Sequence, residues 1–505
     1  MSLQRELLIP ASAERPETIA VRFGEQTLTF GELEERARRV AQVFAAHGVE
    51  HGGRWALLAD NRLEWPELLM GSARAGARVV YLNWHLHAQE LHELLVDSEA
   101  TMLVVDPMHA ETAATAAKDT AVETIVELGS QWDAAVAAAP DELLSERPCG
   151  NPMLYTGGTT GRSKGVTRSD QDRDASDWAG APARWADLTL MPASGVGLIT
   201  TPIYHALGQG VLAACLARGM ETVLLGRFDP EGTLAAIEQH GVNTTAMVPA
   251  QFVKLLKLSD DVRSAYDVSS LEWVLHTAAP CPPWAKREMI EWFGPVITEL
   301  YGSSEGAGPV ICTSKDWLER PGTVGRASPA LRLSIVDDDG NDLPPGEIGT
   351  VYIDRHSGPP VYEGAPEKTS ASRLPDGRFT VGDVGWLDED DFLYLADRRV
   401  DLILVGGSNV YPAEIEGVLV QHPDVGDAAV FGIPHPELGQ QVHAVIEPVA
   451  GSAPDTSAIQ AWLGEQMASF KVPRAIEVID QLPREAHGKL KKRLLRDPYW
   501  EDQPG

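Results

Sequence analysis

Tyr155 to Val166 reads Tyr-Thr-Gly-Gly-Thr-Thr-Gly-Arg-Ser-Lys-Gly-Val. Its glycines, Gly157, Gly158 and Gly161 among them, let a backbone turn tightly and present N–H groups to an anion. The hydroxyls of Thr156, Thr159 and Thr160 add donors, and Lys164 adds charge. The chemistry these residue types support is phosphate binding. The segment is not the P-loop of the common nucleotide hydrolases, which places Ser or Thr directly after the lysine; here Gly165 follows. Such a loop works against its own molecule. Asp+Glu 73 against Lys+Arg 42 leaves a formal net charge of −31. A surface that acidic repels nucleic acid and anionic lipid, which excludes both as main partners, and it repels a nucleotide as well. A phosphate ligand must therefore be held by a local device that overrides the global field.

Further segments follow in order along the chain. They are Pro202-Ile-Tyr-His205, Ala278-Ala279-Pro280, Tyr301-Gly302-Ser303-Ser304-Glu305 and Thr380-Val-Gly-Asp383. After them come Asp397-Arg398, the run Gly406-Gly407-Ser408 to Glu416, and Pro483 to Arg493 (PREAHGKLKKR). Together with 156–165, this set resembles the acyl-adenylate-forming superfamily of acyl-CoA synthetases, nonribosomal adenylation domains and luciferases. The resemblance covers nearly the whole chain. It implies a two-step reaction, in which a carboxylate attacks the α-phosphorus of MgATP to give an acyl-adenylate and pyrophosphate. A second nucleophile, usually the CoA thiol, then displaces AMP.

The resemblance also implies roles. Lys489 bridges the substrate carboxylate and the α-phosphate, and Thr160 belongs to the catalytic loop. Glu305 holds Mg²⁺, a hard cation that favours oxygen ligands. Asp383 accepts hydrogen bonds from the ribose hydroxyls, with Arg398 assisting. Ala278, Ala279, Pro280 and the Tyr301 ring, followed by Gly302, Ser303 and Ser304, form the adenine and phosphate segments. Gly406, Gly407, Ser408, Lys471 and Arg474 belong to the CoA route. Tyr204, His205, Gly208, Val248, His276 and Gly306 line the acyl pocket, and His205 counts with Lys489, Glu305 and Thr160 among the catalytic residues. Two anions meet in the first step, so fixed charges aimed at the transition state are the chemistry required.

Several positions depart from the family pattern. Gly157 stands where Ser is common and Ser163 where Pro is common, so the loop loses one hydroxyl but keeps its glycines and lysine. Val381 replaces the usual Thr, Glu485 sits where Thr is common, and Val400 occupies a hinge position that often holds Asp or Lys. The pocket segments are small or apolar, and no Asp is poised to bind an amino group. A hydrophobic acid is expected: aryl, aliphatic or polycyclic. The leading reading is a carboxylic acid–CoA ligase. The alternatives are an adenylating enzyme that passes the acyl group to an amine or to a carrier-protein thiol, and a non-catalytic nucleotide-binding module.

The elements that must position these residues are legible as pattern. Thr29 with Glu32 fits a capping box, and Leu33, Ala37, Val40, Ala41 and Phe44 share one helical face, with Gly48 as the stop. Apolar runs at 55–59, 78–82, 101–106, 198–203, 221–225, 244–248 and 271–276 alternate with helical stretches. That alternation predicts an α/β fold with parallel-type sheets covered by helices. Residues 110–144 read as peripheral helices and loops. From about 320, short alternating runs suggest a small β-rich subdomain. After 398 a small, mobile α+β unit is expected, so the division falls at 1–397 and 398–505. Cys149, Cys215, Cys281 and Cys312 lack CxxC spacing and read as reduced thiols. With no signal-peptide run and no apolar stretch fit to span a bilayer, a cytoplasmic protein is expected. A homodimer is possible.

Overall fold

The computed structural model describes residues 8–144, 154–156, 164–166, 178–302, 308–329, 331–355, 372–398, 401–405, 408–484 and 490–501. A thirteen-stranded sheet carries the large N-terminal domain. One half is parallel: Ile297–Tyr301, Trp273–His276, Thr244–Met247, Val196–Ile199, Glu221–Leu224 and Ile19–Phe23 lie side by side in that order. The other half, from Val310–Thr313 through Thr323–Ala327 and Leu393–Arg398 to Leu331–Val336, is antiparallel. The β-rich region read from 320 onward thus extends the same hydrogen-bonded order. A separate four-stranded parallel sheet is built from Arg78–Tyr81, Arg54–Leu58, Met102–Val105 and Thr124–Glu127.

Strand alternation sorts the core of the large sheet into two layers. Leu275, Ala246, Ile199 and Leu300 pack with the N-terminal helices. Val274, Met247, Leu198 and Ile297 pack on the opposite face, against the helices Pro230–His240, Pro249–Leu256 and Pro283–Phe293. The expected capping box forms: the Thr29 hydroxyl accepts from the Glu32 N–H, and the Glu32 carboxylate accepts from the Thr29 N–H. Leu33, Ala37, Val40, Ala41 and Phe44 are all buried along Phe30–Ala46.

Residues 110–144 correct the sequence reading. Thr124–Glu127 is a strand at the edge of the four-stranded sheet. Four residues at a half-exposed edge between Ala-rich helices leave too short a β signal to separate from a loop. Trp132, on Ser130–Ala138, is wholly buried, and its indole donates to Glu67 at 2.7 Å. This stretch is core as well as periphery.

A small C-terminal domain follows. Its sheet pairs Ser408–Val410, Ile403–Val405, Gly439–Pro448 and Val425–His435, with Ala475–Val478 parallel to Gly439–Pro448. Helices Pro412–Leu419 and Thr456–Gln466 cover it through Ile415, Leu419, Ile459 and Leu463. Trp284 Nε1 donates to the Gly417 carbonyl at 3.2 Å, and Lys257 Nζ donates to the Val425 carbonyl at 2.5 Å, both across the seam with the large domain. No helix among the described residues is long and apolar enough to cross a membrane.

Candidate active site

The glycine/threonine segment is carried on a two-stranded ribbon. Leu154–Thr156 pairs antiparallel with Lys164–Val166, and Thr156 stands opposite Lys164. The chain between them, with Gly157, Gly158, Thr159, Thr160 and Gly161, lies outside the described residues, as do Ser303, Ser304, Glu305, Gly306, Gly406, Gly407 and Lys489.

The carboxyl ends of two adjacent parallel strands deliver the next segments. Trp273–His276 runs into the turn Thr277–Pro280, and Thr277 Oγ1 donates to the Leu300 carbonyl at 2.6 Å on the neighbouring strand. Ala278 holds a φ of +78°, in the left-handed region that a residue with a Cβ visits at a cost of about 1–2 kcal/mol. The neighbouring strand Ile297–Tyr301 ends on Tyr301, whose hydroxyl donates to Asp383 Oδ2 at 2.6 Å. Asp383 is buried, and it stands opposite Arg398 in the antiparallel pairing of Asp383–Leu387 with Leu393–Arg398. Four positions predicted from separate parts of the sequence, Ala278, Tyr301, Asp383 and Arg398, thus converge on one corner. Gly308, at φ +125°, lets the returning chain pass over this corner. A Cβ there would stand 2.6 Å from the Tyr301 carbonyl oxygen.

A second corner forms around Pro202–His205. His205 is the residue before the helix Ala206–Ala217, and its ring lies 4.2 Å from that of Tyr204. Tyr204 is buried, with its hydroxyl donating to Asn83 Oδ1 at 2.8 Å. Gly208 has a packing reason to be glycine, since a Cβ would come 2.5 Å from the Pro202 carbonyl oxygen. Val248 is buried at the start of Pro249–Leu256.

Sequence reasoning missed the two asparagines that fix this corner. Asn61 Oδ1 accepts from the Ile203 N–H, and its Nδ2 donates to the Thr201 and Leu225 carbonyls. Asn83 receives Tyr204. Both asparagines follow strands of the other parallel sheet. A polar residue just past an apolar strand was the available signal, but its partner is more than a hundred residues away.

His276 is placed differently from the rest of the expected acyl pocket. It alternates with Leu275 and faces the opposite layer from Tyr204, wholly buried against Phe252 at a ring distance of 5.4 Å. Neither ring nitrogen hydrogen-bonds to a described residue, and Nε2 lies 3.6 Å from Glu299. Burial, reinforced by the nearby Lys286 ammonium, holds its pKa well below the usual histidine range.

In the small domain, the Lys471 ammonium sits 2.7 Å from both Glu414 oxygens, and Arg474 lies 2.9 Å from His435 Nε2. A cavity of about 450 Å³ lies at the seam between Lys257, Trp284, His422 and Val449. None of its lining residues belongs to the segments above. Among the described residues there is no group of three or more His, Cys, Asp or Glu able to hold a metal.

Comparison with known proteins places the chain in a family. The AMP-binding enzyme family model matches residues 10–363, and the model of the AMP-binding enzyme C-terminal domain matches residues 414–489. A feruloyl-CoA synthase of an Amycolatopsis species is 34% identical, over 95% of this chain and 96% of the relative. A fatty acid–[acyl-carrier-protein] ligase of Streptomyces coeruleorubidus is 32% identical, over 96% and 94%. The solved structure of an amide bond synthetase from Marinactinospora thermotolerans superposes with a TM-score of 0.80 at 28% identity, covering 95% of this chain and 96% of that one. On motif order, fold and family match alike, the chain belongs to the AMP-binding enzyme family, the acyl-adenylate-forming ligases.

Proposed function

We propose that the protein is an ATP-dependent acid–thiol ligase that activates a hydrophobic carboxylic acid as its acyl-adenylate and transfers the acyl group to CoA, releasing AMP and pyrophosphate. The observation that carries this reading is the corner where the Tyr301 hydroxyl meets Asp383 opposite Arg398, beside the Ala278 turn. A nucleoside needs an aromatic face and a carboxylate for its ribose hydroxyls, and both stand here. The ribbon that pairs Thr156 with Lys164 supports a phosphate loop between them. Lys489 would bridge the carboxylate and the α-phosphate, offsetting the repulsion of two anions as they join. Glu305, a carboxylate with the oxygen chemistry Mg²⁺ takes, would hold that ion together with the nucleotide's phosphates. When bound, the ion would neutralise phosphate charge.

The acid is read as aryl, aliphatic or polycyclic. Tyr204 and Ile203, buried in the apolar N-terminal layer, favour it, as do the feruloyl and fatty acid names among the relatives. A second reading keeps the adenylate and changes the acceptor to a carrier-protein thiol or an amine. A carrier-protein ligase and an amide bond synthetase among the comparisons favour it. The division is read at 1–397 and 398–505; Leu393–Arg398, the last strand of the large sheet, ends one residue past that point, and Ile403–Val405 belongs to the small sheet, which supports a boundary in this short stretch. A cytoplasmic location and a homodimer accord with this reading.

The test is pyrophosphate release from MgATP over a panel of acids, followed by addition of CoA, an amine or a carrier protein. Thioester formed only with CoA supports the ligase; adenylate consumed only by an amine supports the second reading. Lys489→Ala abolishes adenylate formation, a loss of at least about a hundredfold, while sparing CoA attack on adenylate supplied ready-made. Near-normal adenylate formation by that variant would remove Lys489 from the mechanism.

A further inference from the structure

Lys286 and Glu299 belong to none of the motif segments and have no part in the chemistry proposed above. Lys286 is 1% exposed, and its Nζ lies 2.5 Å from Glu299 Oε2. Glu299 stands opposite His276 in the parallel pairing and opposite Cys312 in the antiparallel one, so the pair is enclosed on the sheet. The Lys286 ammonium also lies 5.5 Å from the Trp317 ring centre. Such a pair is a weak source of stability, because desolvation cancels most of the attraction, and well-packed apolar residues of similar volume serve as well. In some systems, what buried charges add over apolar residues is a single preferred geometry.

The placement of the pair shows which geometry it can fix. Glu299 precedes Tyr301 by two residues and shares its face of the strand. Lys286 sits on Pro283–Phe293, the helix that begins just after Pro280. The ion pair therefore closes a loop of structure around the Thr277–Pro280 turn, and the Thr277 bond to Leu300 closes the other side. Between the two lies Ala278 at φ +78°. A residue with a Cβ keeps that conformation only where its surroundings over-determine it.

Building on the nucleotide reading above, we propose that Lys286 and Glu299 are positioning residues: their buried pair braces the strained Ala278 turn against the Tyr301 strand and so presets the two walls that receive the adenine. The brace touches no substrate, and its effect is felt through ATP rather than through the acid.

The experiment compares the parent protein with Lys286→Met/Glu299→Leu, each with and without Ala278→Gly. ATP affinity is measured by calorimetry without acid, the KM for acid by pyrophosphate release, and stability by urea denaturation. The apolar pair is expected to keep its denaturation midpoint and its KM for acid, while ATP binding weakens about tenfold. Glycine adopts the turn without strain, so adding Ala278→Gly restores ATP affinity to within about threefold of the parent. Two results overturn the proposal: ATP affinity within about twofold of the parent, whether or not stability falls, or a loss that Ala278→Gly leaves unrelieved. If the double variant does not fold, Glu299→Gln with and without Ala278→Gly makes the same comparison, and the same two results overturn the proposal. A parent that binds ATP yet releases no pyrophosphate with any acid defeats the acid-activation reading and leaves the ATP comparison decisive. A parent that binds no ATP overturns both.

Discussion

Tyr301 and Asp383, proposed above to receive the nucleoside, are joined by one hydrogen bond. The hydroxyl at 2.6 Å orients the carboxylate, and in the proposed reading the ring offers its face to the base. Tyr301→Phe keeps the ring and removes the donor. Because a hydrogen bond to a charged group is worth about 1.5–3 kcal/mol, the KM for ATP should rise at least about tenfold with the KM for acid unchanged. Steady-state kinetics against each substrate separately checks this. His276 supplies a prediction of a different kind. Its folded pKa is depressed by burial, so as pH falls below about 6.5 the unfolded chain binds the proton and the folded chain does not. Its contribution to stability is therefore intact above that pH and is lost progressively below it, by up to about 1.4 kcal/mol per pH unit. Urea denaturation between about pH 7 and 5.5 should show the decline, and His276→Phe should flatten it. A slope unchanged by the substitution would assign the decline to other groups.

At the scale of elements, strand ends and helix starts do the positioning. The parallel strands Trp273–His276 and Ile297–Tyr301 end side by side, so the Thr277–Pro280 turn and the Tyr301 ring, the walls proposed for the adenine, come together. The helix Ala206–Ala217 comes close to Pro202 because Gly208 has no side chain, and that approach sets the Tyr204–His205 corner. In the small domain, the basic residues proposed for CoA already have partners. Lys471 is held by Glu414 from the helix Pro412–Leu419, about half exposed at the carboxylate. A pair of that exposure is worth only about 0–1 kcal/mol, so a CoA phosphate can exchange with Glu414 at little cost. Glu414→Gln should lower the KM for CoA by about twofold to fivefold, whereas Lys471→Ala should raise it. A KM for CoA that ignores both substitutions would place the phosphates elsewhere.

Over the whole molecule, the acidic surface and the small set of basic contacts divide the work. The net charge of −31 belongs to the general surface, and it serves solubility without steering anions in. Across the seam between domains, Trp284 donates to Gly417 and Lys257 to Val425, and burial holds the Lys257 pKa below its usual range. Both acceptors are backbone carbonyls, the Trp284 ring also packs against the core of the small domain, and a cavity lies beside them. The variant Trp284→Phe/Lys257→Met should lose about 1–2 kcal/mol of docking energy. Limited proteolysis between residues 398 and 408 should then run roughly tenfold faster, with the melting of each domain unchanged. Equal cleavage rates would show that the seam is held by other contacts.

Much of this was legible in the chain alone, because local pattern has local causes. The Thr29–Glu32 cap, the apolar strands of the parallel sheet, the helix at Pro412 and the alternation within the small domain were each specified by residues a few positions apart. The motif set also carried the family. Tertiary structure alone decided which residues meet across long stretches of chain. It put Tyr301 on Asp383, Asn61 beneath Ile203, and Lys286 on Glu299. It also turned His276 to the face away from Tyr204, because a strand sends successive side chains to opposite sides. The four-residue strand Thr124–Glu127 exists only because an open sheet edge was there to pair with it. Spacing reports what a residue's neighbours in sequence permit. Which distant backbone or carboxylate finally satisfies a buried polar group depends on packing, and that is settled only when the layers close.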